Sequence, residues 1–121
     1  MDVSDKIAVV NRYVDAFAES SLEIIREIYA DDAVVEDPVG SDPHVGIDAV
    51  LGFYEGALAS GAKLELTGPV RCAGNCAAFP FQVVMPGMKI SIIDVFEFDE
   101  SSGKVVGMKA YWGPESMETD G

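Results

Sequence analysis

Lys89-Ile90-Ser91-Ile92-Ile93-Asp94-Val95-Phe96-Glu97-Phe98 is rich in β-branched and aromatic residues, and in a strand its side chains alternate between two faces. Lys89, Ser91, Ile93, Val95 and Glu97 then share one face, and Ile90, Ile92, Asp94, Phe96 and Phe98 the other. A single carboxylate thus stands in an otherwise apolar row. Ionised and unpaired in a core it would be strongly unfavourable, so Asp94 is expected to raise its pKa, stay protonated and be able to donate a hydrogen bond. Pairing with Lys63, Arg71, Lys104 or Lys109 is the structural alternative.

The strand pattern extends on both sides of this run. Strands are expected at 63-67, 69-73, 76-85, 88-98 and 104-112, separated by Gly68, Gly74-Asn75, Pro86-Gly87 and Ser101-Ser102-Gly103. Ala77, Phe79, Phe81, Val83 and Met85 share one face of their strand; Val106, Met108, Ala110 and Trp112 share one face of theirs. Residues 114-121 read as a loose acidic tail.

Upstream the period changes to that of helices. Ile7, Val10, Val14 and Phe17 follow Ser4, a candidate N-cap, and predict a helix to about Ala18, with Tyr13 at the edge of its apolar stripe. Ser20 and Glu23 form a capping-box pattern for a second helix, with Leu22, Ile25, Ile28 and Tyr29 on one side, ending near Asp31. Ala33 to Asp37 reads as a short strand stopped by Pro38 and Gly40, in which Asp37 points where Val35 points. Ile47, Val50, Leu51, Tyr54 and Leu58 mark a third helix ended by Ser60-Gly61. Helices first and a meander after argue an α+β domain, its antiparallel sheet curled around helices packed on one face. Such a sheet either fills with core or leaves an apolar pocket.

A chain of 121 residues suits one domain over 1-121, with 8 basic residues against 21 acidic ones and a formal charge of -13. That balance disfavours nucleic acid, anionic membrane surfaces and anionic substrates. No apolar run approaches a membrane span, and Met1-Asp2-Val3-Ser4-Asp5 lacks the regions of a signal peptide, so a cytoplasmic protein is expected. Cys72 and Cys76 flank a turn, and with His44 as the only histidine they cannot complete a four-ligand zinc site without carboxylates; no metal is expected.

Tyr13, Asp37 and Asp94 are polar groups in apolar settings. A carboxylate that accepts a proton, facing two neutral donors that stabilise an oxyanion, is what proton abstraction beside a carbonyl requires. Each also has a structural reading. Tyr13 anchors a helix, Asp37 caps a turn before Pro38, and Asp94 pairs with a cation.

The segment Tyr29-Ala30-Asp31-Asp32-Ala33-Val34-Val35-Glu36-Asp37-Pro38-Val39-Gly40 closely resembles the one that bears the general base in bacterial Δ5-3-ketosteroid isomerases. The resemblance continues through Asn11-Arg12-Tyr13-Val14, Phe53-Tyr54, Leu66-Thr67-Gly68-Pro69-Val70-Arg71, Ile93-Asp94-Val95-Phe96 and Met108-Lys109-Ala110-Tyr111-Trp112. It covers nearly the whole chain in order. It implies a cone-shaped cystatin-like α+β fold of the nuclear-transport-factor-2-like superfamily, three N-terminal helices on a curved antiparallel sheet, a neutral steroid substrate, no cofactor and a homodimer. By resemblance Asp37 is the base that shuttles a proton, and Tyr13 and Asp94 are the oxyanion donors. Tyr29 and Tyr54 extend the network behind Tyr13, and Phe53, Phe81, Phe96, Met108 and Trp112 surround the steroid. In these isomerases an apolar site keeps a carboxylic acid neutral, and the resemblance implies the same of Asp94. The hairpin Met85-Pro86-Gly87-Met88 looks shorter than theirs.

Two alternatives stand beside the isomerase. Related enzymes of the superfamily include polyketide cyclases, dehydratases and epoxide hydrolases, although a dehydratase relying on a pocket histidine fits poorly with His44 in a loop. A binding protein that holds a hydrophobic ligand without turnover would lack a base or a donor.

Overall fold

The structure, a computed structural model, describes residues 1–120. Its elements follow in the order α1 (Val3–Ala18), α2 (Leu22–Ile28), β1 (Tyr29–Glu36), β2 (His44–Val45), α3 (Ile47–Ala59), β3 (Lys63–Leu66), β4 (Arg71–Ala73), β5 (Cys76–Met85), β6 (Met88–Asp99), β7 (Lys104–Tyr111) and β8 (Met117–Thr119), with a 3-10 turn at Pro114–Ser116 before β8. No described helix is long and apolar enough to cross a membrane.

The helix starts differ from the expected caps. Asp2, not Ser4, caps α1: its Oδ1 accepts the Asp5 N–H at 2.9 Å while Asp5 accepts the Asp2 N–H at 2.9 Å. This reciprocal box satisfies two otherwise orphaned donors. Ser21, not Ser20, caps α2, because Ser20 sits at φ 51 in the turn between the helices. The second helix also stops at Ile28, since the Tyr29 backbone is already extended and pairs with Val105 of β7. Two lysines tie α1 to β3 and to the β6–β7 turn. The nearly buried Lys6 reaches Glu100 at 2.7 Å, and Lys63 donates to the Phe17 carbonyl at 3.0 Å at the C-terminal end of α1.

The sheet is curved and unclosed, with strand order β2-β1-β7-β6-β5-β3, β4 on β5 and β8 on β6. The expectation of a wholly antiparallel sheet is corrected at one seam: β1 and β7 run parallel. Hairpin turns force β5, β6 and β7 to alternate in direction, whereas β1 enters from α2 and carries no such constraint. The 114-121 tail is corrected as well. Met117–Thr119 pairs with Met88–Ile90 of β6, the part of that strand that β7 leaves open; Gly121 lies outside the described residues. His44 belongs to β2, opposite Val35, rather than to a loop.

The row read first behaves as its alternation requires. Ile90, Ile92, Asp94, Phe96 and Phe98 are all buried on the inner face, where the helices complete one core. The row expected on β7 fails at its first member. The register to β6 shifts between Glu97 and Phe98, which places Val105 inside and leaves Val106 on the outer face. Cys72 packs against the core while Cys76 lies in the outer groove, so their side chains leave opposite faces of the sheet.

Candidate active site

Three elements bring the three polar groups to one pocket. Tyr13 comes from the middle of α1, Asp37 follows the last residue of β1, and Asp94 comes from the centre of β6, between Phe79 of β5 and Ala110 of β7. All three line a cavity of about 140 Å³. Larger hollows of about 460 and 360 Å³ lie on the outer sheet face and beside Arg12 and Lys104, and neither contains any of the three groups.

Asp94 is 1% exposed and its Oδ1 has no hydrogen-bond partner. The cations considered for it are elsewhere: Lys63 and Lys104 donate to helix carbonyls, and Arg71 and Lys109 are exposed. Burial, with the nearby charge of Asp37, pushes the Asp94 carboxyl well above the ordinary range. Both causes favour the protonated form, the one that has a proton to donate. Tyr13 is held by four rings, the closest being Phe96 and Phe17 at centroid distances of 5.2 and 5.4 Å, in edge-to-face packing. Its hydroxyl meets that of Tyr54 at 3.0 Å, and Tyr54 meets Tyr29 at 2.6 Å. Burial raises all three phenols well above their usual range and keeps them neutral. If Tyr29 donates to Tyr54 and Tyr54 to Tyr13, the Tyr13 proton is left for a ligand.

Asp37 is half-buried, and its Oδ1 accepts the Trp112 indole N–H at 2.7 Å. Burial raises its pKa; the indole N–H and nearby His44 pull it back by favouring the carboxylate. The bond to Oδ1 leaves Oδ2 free to take a proton. The pocket thus sets a carboxylate of raised basicity beside two groups whose burial favours their protonated forms.

The remaining expected site residues divide. Phe53, Tyr54 and Phe81 line the pocket. Phe96 and Met108 do not reach it: they are almost fully buried behind its wall and paired with each other across β6 and β7, while Tyr29 sits in the hydroxyl chain behind Tyr13 that the resemblance implied for it. Trp112 acts on Asp37 rather than on the lining. His44 packs on Phe53 with ring centroids 4.6 Å apart and is not itself among the lining residues. Phe17, Ala57, Ser60, Ala62, Leu64 and Ile92 complete the wall with Val83 and Met85. Ala57 and Ser60 were legible as the continuation of the Phe53-Tyr54 helix face at helical spacing.

Residues 10–108 match the SnoaL-like domain family. A protein of Nocardioides simplex named Steroid Delta-isomerase is 43% identical over 116 residues, which cover 91% of each chain. Among solved structures, the epoxide hydrolase/cyclase-like enzyme SalBIII, titled for its role in pyran ring formation in polyether salinomycin, superposes with a TM-score of 0.91 over 98% of each chain at 23% identity. That likeness shows the fold alone.

Proposed function

The chain belongs to the SnoaL-like family of nuclear-transport-factor-2-like proteins, with a steroid isomerase among its relatives, and on that premise we propose that it is a cytoplasmic 3-oxo-Δ5-steroid isomerase. The observation that carries the reading is the unpartnered, fully buried carboxyl of Asp94 in the same pocket as the Tyr13 hydroxyl and Asp37. A buried hydrogen-bonding group without a partner is costly, and a substrate carbonyl oxygen is the acceptor that would relieve it.

The steroid enters with its carbonyl toward Tyr13 and Asp94. Asp37 Oδ2 removes a proton from C4, the C3–C4 enolate forms, and negative charge collects on the carbonyl oxygen as a dienolate. The two donors strengthen their hydrogen bonds as that charge develops, which is where stabilisation accelerates the reaction. The same carboxyl then returns the proton to C6, the double bond moves to Δ4, and Asp37 is again ionised. No electron leaves the system and no cofactor enters the step. The apolar wall of Phe53, Phe81, Val83 and Ile92 contributes binding through buried area, and the acidic chain does not repel a neutral steroid.

Two copies of the chain form the functional unit in this reading. Val34, Ile93 and Tyr111 are exposed on the outer sheet face, beside the groove that Val95 and Val106 line. Exposed apolar side chains on this face, interspersed with Glu36, Glu97 and Lys109, are what a second copy would cover.

Adding 5-androstene-3,17-dione to the purified protein and following the ultraviolet absorbance of the conjugated enone tests the activity. Many turnovers per site are expected. Saturable steroid binding with no absorbance rise above buffer would replace the enzyme by a binding protein.

A further inference from the structure

The chemistry occupies one end of the pocket. From there α3 runs along the wall, placing Phe53, Tyr54, Ala57 and Ser60 on the lining. The six steps from Tyr54 to Ser60 rise about 9 Å at 1.5 Å per residue, the scale of a fused four-ring skeleton. The sheet follows the same direction. Asp94 lies opposite Phe79, and β5 then steps through Phe81 and Val83 to Val84, which pairs with Lys63. Ser60, three residues before Lys63 and bonded to Ala62, therefore stands at the end of the pocket remote from Asp94.

Among the described lining residues at that end, Ser60 is the one with a hydroxyl; Ala57, Ala62, Leu64, Val83 and Met85 are apolar. Its hydrogen bonds define what it can still do. Ser60 Oγ donates to the Ala57 carbonyl at 2.6 Å and accepts the Ala62 N–H at 3.3 Å. A hydroxyl has one proton and two lone pairs. The proton is committed and one lone pair remains, so Ser60 can accept from a ligand but cannot donate without giving up the short bond to Ala57.

Resting on the steroid reading above, we propose that Ser60 is a specificity-determining residue that selects steroids carrying a hydroxyl, rather than a ketone, on the ring remote from the A-ring carbonyl. A 17-hydroxyl supplies the donor that the free lone pair lacks. A 17-ketone presents a second acceptor to an acceptor.

Titration calorimetry with three phenolic A-ring steroids, bearing a 17β-hydroxyl, a 17-ketone or no oxygen at C17, tests this. The phenol fixes the A ring at Tyr13 and Asp94, and the deoxy compound is the reference. Wild type should bind the hydroxyl compound roughly three- to tenfold tighter than the ketone, the worth of one neutral hydrogen bond. Ser60→Ala should bring the two within about twofold, and Ser60→Thr, which keeps the oxygen, should retain the preference. No preference in wild type, or one that survives in Ser60→Ala, overturns the inference. The enone assay separates the two ideas: a Ser60-dependent preference without turnover overturns only the isomerase reading, turnover without the preference overturns only the role of Ser60, and absence of both overturns both.

Discussion

Burial raises both Asp37 and Asp94, but their partners differ and so do their states. Asp94 has no donor to favour its anion and feels the charge of Asp37; Asp37 has the Trp112 N–H at 2.7 Å. The consequence for stability has a definite sign. Below the unfolded value of 3.8, Asp94 is protonated both folded and unfolded. Above it the unfolded chain releases a proton that the native state keeps, so the contribution of Asp94 is present at low pH and declines as pH rises toward the folded pKa. Asp94→Asn lacks this slope. Urea midpoints should therefore move in favour of the asparagine variant between about pH 4 and pH 7; parallel curves would mean an ionised Asp94. Trp112→Phe acts on the other carboxylate. Losing the indole donor disfavours the anion, so the acid limb of kcat/KM, where Asp37 must be ionised, should shift upward by about one pH unit, in line with a charged hydrogen bond in a partly exposed site. An unmoved limb would separate Trp112 from the base.

At the level of elements, α3 sets both the tyrosine network and the pocket wall, yet it contains two interior glycines. A Cβ added at Gly52 or Gly56 meets no atom within 4 Å. Alanine at each should stabilise the protein by about 0.5 to 1 kcal/mol by lowering the entropy of the unfolded chain, read as a higher urea midpoint at unchanged slope. A loss would reveal a partner on that side of the helix. What the sequence made legible at this scale was whatever is local. The β5–β6 hairpin was read to within one residue because alternation and turn residues lie in the strands themselves, and parity alone turned Asp94 inward and Asp37 to the side of Val35. What depends on a distant partner was not legible. The β8 pairing, the parallel β1–β7 seam and the inversion at Val106 all arise from register across the sheet. The caps missed by one or two residues because neighbouring Ser and Asp side chains compete for the same orphan N–H groups.

For the molecule as a whole, the pocket is assembled from α1, α3, β3, β5, β6 and the residue just after β1, so no segment alone encodes it. Proximity of Tyr13, Asp37 and Asp94 was implied by family resemblance and not by spacing, which is why Phe96 and Met108 were placed beside the steroid although packing puts them behind the wall. Ile93 and Tyr111 face each other across β6 and β7, each about half exposed. Ile93→Lys should convert a dimer to monomers in sedimentation velocity at micromolar concentration, because two buried ammonium groups would meet across a two-fold contact. A wild-type monomer, or a variant that stays dimeric, would remove this face as the interface.

The most direct measurement is kcat for Asp37→Asn in the enone assay, together with its affinity for a phenolic A-ring steroid. The amide keeps the shape of the side chain but cannot take the C4 proton. Affinity within a few-fold of wild type and kcat lower by at least about 10²- to 10⁴-fold are expected for loss of the general base. Retention of more than about a tenth of wild-type kcat would show that Asp37 does not carry the proton and would contradict the isomerase built on it.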